Sequence, residues 1–249
     1  MSNQNPCISI AAALKIRHAR GAMIEVLFFD ATETLIYIPK GVGWHYAQAA
    51  REMGAMLEPE ALNAAFKRVF RAMPVRPVGE GPRADDDRGW WRELVFRVLD
   101  LMPAHALDRE IYFERVYEAF ADPGIWDLYP DTRPALEALA GHYRLGVVSN
   151  FDGRLHRLLE GLGLKDFFEQ VVVSSETGVD KPDARIFQRA LERFGVAAEK
   201  AMHVGDSPAH DWEGAAAAGL HVFQLHRPES SLTELVTALR SSRSLRPGD

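Results

Sequence analysis

The sequence predicts an α/β fold, a doubly wound parallel sheet into which a helical domain has been inserted. Three observations carry that expectation. Short apolar runs of strand length recur along the chain, amphipathic helical patterns lie between them, and the first run is separated from the second by far more chain than one crossover helix needs.

Taken in order, Ile24 to Phe29 is apolar but for one glutamate and ends at Asp30, as a buried strand of a parallel sheet does. Leu145 to Ser149, Val171 to Ser174, Ala201 to Val204 and His221 to Leu225 read alike. Between them, Leu155, Leu158, Leu159 and Leu162 share one helical face, as do Phe187, Ala190, Leu191 and Phe194, and Ala215 to Ala218 reads as helix. Strand, helix and strand repeated imply right-handed crossovers. From Pro39 to Asp127 the pattern is helical instead, over Tyr46 to Met53, Pro59 to Ala72, Trp90 to Leu101 and Arg109 to Phe120, with a break at Pro74 to Gly89 rich in Pro, Gly and Asp. The chain therefore divides into an N-terminal extension (1–22) expected to be disordered, an α/β core (23–38 and 128–249) and a helical cap (39–127). The extension is basic, with Lys15, Arg17 and Arg20 ahead of Met23.

Composition narrows the function. A formal net charge of -6 argues against a sequence-independent nucleic-acid binder, which needs a basic surface. No apolar run is long enough to span a bilayer, so no membrane partner is expected. The single cysteine, Cys7, excludes an intrachain disulfide and a cysteine-cluster metal site, and fits a cytoplasmic location.

The candidate chemistry lies at the carboxyl ends of the strands, where an open parallel sheet binds its ligands. Asp30 ends the first strand in FFDATETL. A lone aspartate there is usually a turn cap, and its significance comes from what ends the other strands. Ser149 and Asn150 follow the second, a hydroxyl and an amide suited to a phosphate oxygen. Lys181 brings an ammonium group in GVDKPDARIF. Asp206 and Asp211 follow the strand of HVGDSPAHDWEG, and two carboxylates on one loop repel each other unless a cation such as magnesium sits between them.

This set resembles the motifs of the haloacid dehalogenase-like (HAD) superfamily of hydrolases, and the helical insertion matches that family's cap. The phrases VVSNFDGRL, GLGL, KPDARIF and HVGD, with Trp90 and Trp91 in the insertion, are similar in particular to the haloacid dehalogenase-like hydrolase domain-containing group. The resemblance implies Asp30 as nucleophile, Ser149 as donor to a phosphate oxygen with Asn150 beside it, and Lys181 as charge stabiliser. It implies a magnesium ion held by Asp30, the backbone carbonyl of Thr32 and Asp206, with Asp211 in support directly or through water.

One departure stands out. Phosphatases of the family carry a second aspartate two residues after the nucleophile, as general acid for the leaving group and then base for water. Here Thr32 occupies that catalytic position and Glu33 replaces the usual glycine. Threonine does not exchange a proton near neutral pH, and such help is typically worth about 10²- to 10⁴-fold. The expected function is a magnesium-dependent phosphatase of low turnover, acting through an aspartyl-phosphate on a small phosphorylated metabolite, as a monomer or homodimer. The alternatives are a 2-haloacid dehalogenase, which needs no metal, and a phosphate-binding regulatory protein without catalysis. The cap is expected to set the substrate, with Trp90, Trp91, Arg76, Arg83 and Arg88 as candidates to line it.

Overall fold

Leu27 and Phe29 face one side of the central sheet, Val26 and Phe28 the other, and all four are fully buried. A strand covered on both faces has no need of polar alternation, which is why its sequence is a continuous apolar run. The computed structural model describes residues 14–15, 23–103 and 105–244.

The strands are β1 (Leu14–Lys15), β2 (Val26–Phe29), β3 (Ile36–Tyr37), β4 (Asp127–Leu128), β5 (Arg144–Ser149), β6 (Gln170–Val173), β7 (Ala201–Gly205) and β8 (His221–Gln224). The main sheet runs β1-β8-β7-β2-β5-β6, parallel except for β1, which pairs antiparallel with β8. The rest of the N-terminal extension lies outside the described residues, and so does the expectation of disorder placed on it. The first strand of the core, β2, stands in the middle with later strands on both sides, the arrangement of a doubly wound sheet.

The helices are α1 (Gly41–Glu52), α2 (Pro59–Ala72), α3 (Arg88–Leu99), α4 (Arg109–Ala119), α5 (Thr132–Ala140), α6 (Arg154–Gly161), the single turn α7 (Ser174–Thr177), α8 (Ala184–Phe194), α9 (Gly214–Ala217) and α10 (Leu232–Ser244). Leu136 and Leu139 of α5, Leu155 and Leu158 of α6 and Leu235 of α10 cover one face of the sheet. Ile186, Phe187 and Phe194 of α8 and Ala215 of α9 cover the other. The stretch read as a plain helix at Ala215 to Ala218 is preceded by a wider, π-helical turn over Pro208–Glu213.

Helices α1 to α4 surround a separate apolar cluster. In α2, Pro59 sits in the first turn, where its missing N–H costs nothing, and Leu62, Ala65 and Val69 bury one stripe. Asp108 caps α4 by accepting from the amides of Glu110 and Ile111. The buried Tyr112 hydroxyl donates to the Tyr46 carbonyl at 2.9 Å and ties α4 to α1. The chain enters and leaves this helical layer through β3 and β4, which pair antiparallel. No helix among the described residues is long and apolar enough to cross a membrane.

Candidate active site

The register of the parallel sheet puts three strand ends side by side. Phe29 pairs with Val147 on one neighbour and Val204 on the other, and the Asp30 amide donates to the Val204 carbonyl at 2.9 Å. Asp30, Ser149 and Gly205–Asp206 therefore lie along one edge, as the sequence pattern requires.

Lys181 closes the group. Its ammonium Nζ donates to Asp30 Oδ1 at 2.7 Å and to Asp211 Oδ1 at 2.5 Å, and it is 3% exposed. The Asn150 carboxamide grips the Lys181 backbone from both sides: Oδ1 accepts from the Lys181 amide at 2.6 Å, and Nδ2 donates to the Lys181 carbonyl at 2.9 Å. Asn150 thus uses its side chain to place Lys181, a different task from the contact with a phosphate oxygen expected of it. Ser149 is buried beside it at the end of β5.

Ligand oxygens of Asp30, Asp206 and Asp211 lie within 4.8 Å of one another. Three carboxylates gather there around one ammonium, which binds two of them, an excess of negative charge that a hard divalent cation would offset with ligands of the chemistry it prefers. Burial, followed by the charges of Asp30 and Asp211, pushes the Asp206 carboxyl up to about 7. Its Oδ1 accepts one hydrogen bond, from Thr34 Oγ1 at 3.3 Å. Asp211 is more heavily engaged: besides Lys181, His203 Nε2 lies 2.9 Å from its Oδ1, and its Oδ2 accepts from the Ser207 amide at 2.9 Å. Burial opposes its charge, yet Lys181 and His203 hold it well below the usual carboxylate range. For Lys181 too burial works against the charge, and Asp30 and Asp211 outweigh it, so the ammonium stays above its ordinary range. Burial pushes the Asp30 carboxyl up, with Lys181 pulling the other way.

Local backbone explains several residue types. A Cβ on Gly205 would stand 2.3 Å from Asp211 Cγ, so only glycine lets the Asp211 carboxylate fold back beneath the strand end. Thr32 and Glu33 sit in a turn closed by bonds from the Leu35 and Ile36 amides to the Ala31 carbonyl. Glu33 has φ 60, a conformation in which glycine is unstrained. Its carboxylate accepts from the Tyr129 hydroxyl at 2.7 Å.

His203 and Thr34 belong to this group and sequence reasoning missed both. His203 lies mid-strand, fully buried against Phe187, and burial pushes its imidazole down toward the neutral form. A histidine within an apolar strand needs a partner, and the acid eight residues on supplies it; that was the available signal.

The arginines expected to line the cap do something else. The segment between α2 and α3 lies against the core: the Gly79 amide donates to the Gly178 carbonyl at 2.8 Å and the Arg83 amide to that of Ser175 at 2.7 Å. Arg83 pairs with Asp87 and with Asp180 of the core, both at 2.9 Å, and Arg76 joins the same pair at 3.3 and 3.5 Å while stacking 4.0 Å over Trp90. Arg88 pairs with the exposed Glu114. Asp86 accepts from the Gly153 amide, just ahead of α6, at 3.1 and 2.9 Å. Buried carboxylates demand cationic partners, so these arginines are drawn to the seam between insertion and core. Trp91 alone of the five candidates borders a cavity beside the site, with its indole N–H donated to Asp152 at 2.7 Å.

Comparison with known proteins agrees with this architecture. Residues 24–219 match the family model "haloacid dehalogenase-like hydrolase". The mouse (Mus musculus) haloacid dehalogenase-like hydrolase domain-containing protein 3 is 35% identical over 210 residues, covering 82% of this chain and 83% of that protein. The crystal structure of a HAD phosphatase from Thermococcus onnurineus is 26% identical with a TM-score of 0.61, covering 87% of this chain and 98% of that one. The defluorinating L-2-haloacid dehalogenase Rha0230 superposes with a TM-score of 0.70 at 18% identity, over 87% and 95% of the two chains, and so speaks to the fold alone. The class is a hydrolase of doubly wound α/β fold. The chain belongs to the haloacid dehalogenase-like hydrolases.

Proposed function

We propose that this hydrolase is a magnesium-dependent phosphatase of low turnover with Asp30 as nucleophile and residues 39–127 as its cap. The observation that carries the reading is the convergence of Asp30, Asp206 and Asp211, the first and last of which bind Lys181. Displacement of halide from carbon by one carboxylate has no use for two more beside it, whereas an anionic phosphoryl group does require a metal and an ammonium to approach an anionic nucleophile.

Asp30, the Thr32 carbonyl and Asp206 would hold a magnesium ion, which would supply positive charge to offset that of the phosphoryl oxygens. Asp211 keeps Asp206 company from behind, because its own oxygens are already committed to Lys181, His203 and Ser207. Lys181, fixed by Asn150, holds Asp30 in place and lies beside the incoming oxygens. Ser149 donates to one of them. Asp30 attacks phosphorus in line and the bond to the leaving oxygen breaks; that oxygen takes its proton from solvent, since Thr32 has none to give. Water then attacks phosphorus of the aspartyl-phosphate, releasing phosphate and restoring Asp30. The T. onnurineus relative, named as a phosphatase, supports the same class.

The test measures phosphate release from p-nitrophenyl phosphate with and without magnesium, beside halide release from 2-chloropropionate. Magnesium-dependent phosphate release without halide is expected. Halide release that ignores magnesium, with no phosphate formed, overturns the reading.

A further inference from the structure

A cavity of about 340 Å³ lies between the inserted helices and the core. Its core-side wall includes Thr32, two residues after the candidate nucleophile, and Asn150, next to Ser149. The rest of the wall is largely hydrocarbon: Phe66, Phe70, Val95, Phe113, Val116 and Phe120, from α2, α3 and α4 or the end of α4. We propose that this cavity receives the leaving group of the substrate, and that this group is apolar, an aryl or alkyl body of about one or two rings in size. The inference rests on the phosphatase reading of Asp30 and adds the class of ester to it.

The polar groups on the wall argue for it as strongly as the rings. Arg154 is held by Asp152 through two bonds at 2.8 and 2.7 Å, and it also donates to the Tyr117 carbonyl at 3.1 Å. Asn150 is bound to the Lys181 backbone, and Trp91 to Asp152. The Trp126 indole N–H donates to the Phe120 carbonyl at 3.3 Å. Glu33 accepts from Tyr129. The guanidinium on the wall thus has its charge answered by Asp152, which leaves a leaving group bearing a carboxylate without a cation to meet it. A leaving group bearing several hydroxyls would lose its hydration against phenyl rings with little return. An apolar body gains from the same burial. The size is also limiting, since 340 Å³ is near the lower end for small-ligand pockets, roughly 300–1,000 Å³.

Phosphonates test this without requiring turnover. Benzylphosphonate, hexylphosphonate and 2-aminoethylphosphonate would be titrated calorimetrically into the 249-residue chain in magnesium buffer. The first two should bind at least ten-fold more tightly than the third. In Phe70→Glu, at a ring 44% exposed and so replaceable without unfolding, the three affinities should fall within about three-fold of one another, with a melting temperature near that of the parent. Equal affinities in the parent protein, tighter binding of the aminoethyl compound, or no binding of any of the three overturns the inference. Failure of the phosphatase reading shows itself separately, as absence of phosphate release from p-nitrophenyl phosphate by protein that still ranks the phosphonates as expected.

Discussion

Asn150 holds the backbone of Lys181 by two hydrogen bonds, one given and one received, across 31 positions of sequence. The consequence is that the lysine ammonium reaches Asp30 from a fixed platform. Asn150→Ala leaves a buried amide and carbonyl without partners, which costs about 1–3 kcal/mol each at most. The variant should lower the urea midpoint and also reduce phosphate turnover more than the loss of folded protein explains. Unchanged turnover in the folded fraction would relieve Asn150 of any part in placing Lys181.

Asp30→Asn removes the attacking charge and keeps the shape. Lys181 retains Asp211, so the fold should persist, and because burial of the Asp30 carboxylate is unfavourable the melting temperature should be unchanged or raised. Phosphate release should drop below a few per cent of the parent's. Activity above that level would place the nucleophile elsewhere.

Magnesium should raise the melting temperature of the parent protein by mass action, by the equivalent of about 2.7 kcal/mol at a hundred times Kd. Asp206→Ala should erase that response. A variant still stabilised to the same extent would locate the ion away from Asp206.

Thr32→Asp restores a proton carrier to a turn already shaped around it by the bonds to Ala31. Turnover of p-nitrophenyl phosphate should rise roughly ten-fold or more if acid–base help is what limits it. Magnesium affinity is measured alongside, because the change adds charge near Asp30. Intact magnesium binding with no gain in rate would mean that another group already moves the proton.

Arg83→Ala strips Asp87 and Asp180 of their closest cation, leaving Arg76 at longer range. Breaking a buried pair costs about 3–5 kcal/mol, and the remaining arginine should reduce that to roughly half. Amide exchange at Gly79 and residue 83, which bond to Gly178 and Ser175, should accelerate before that of β2. Uniform acceleration across the sheet would mean that the seam and the core open together.

The residues legible in the sequence were those whose position at a strand end coincided with a charged type. Asp30 and Asp206 announced themselves because an apolar run stopped at or near each of them, and Lys181 because Lys181-Pro182 opens a helix in GVDKPDARIF. Glu33 was seen as a replacement for glycine, and its φ of 60 is the physical meaning of that departure. Asn150 was seen as a polar group at the right edge, but periodicity says nothing of which of several neighbours an amide will choose. Arg76 and Arg83 were sought in the substrate space because the sequence places them in the insertion; their partner Asp180 is nearly a hundred positions away, and no local pattern links them. His203 lay hidden inside a strand whose apolar neighbours set the reading. The helices were clearer, since Pro59 to Ala72 carries both its start signal and its buried stripe in its own residues.

Asp86 belongs to the insertion, yet the amide it satisfies, that of Gly153, stands at the threshold of a core helix. Separating the insertion from the core would leave that amide without its partner, at a cost of about 1 kcal/mol, while the next amide, of Arg154, keeps Asp152. If the insertion lifts to admit substrate, the bonds to Asp86 must break each time, so opening and the loss of protection at the Gly153 amide are one event. Hydrogen exchange at the Gly153 amide should keep time with product release.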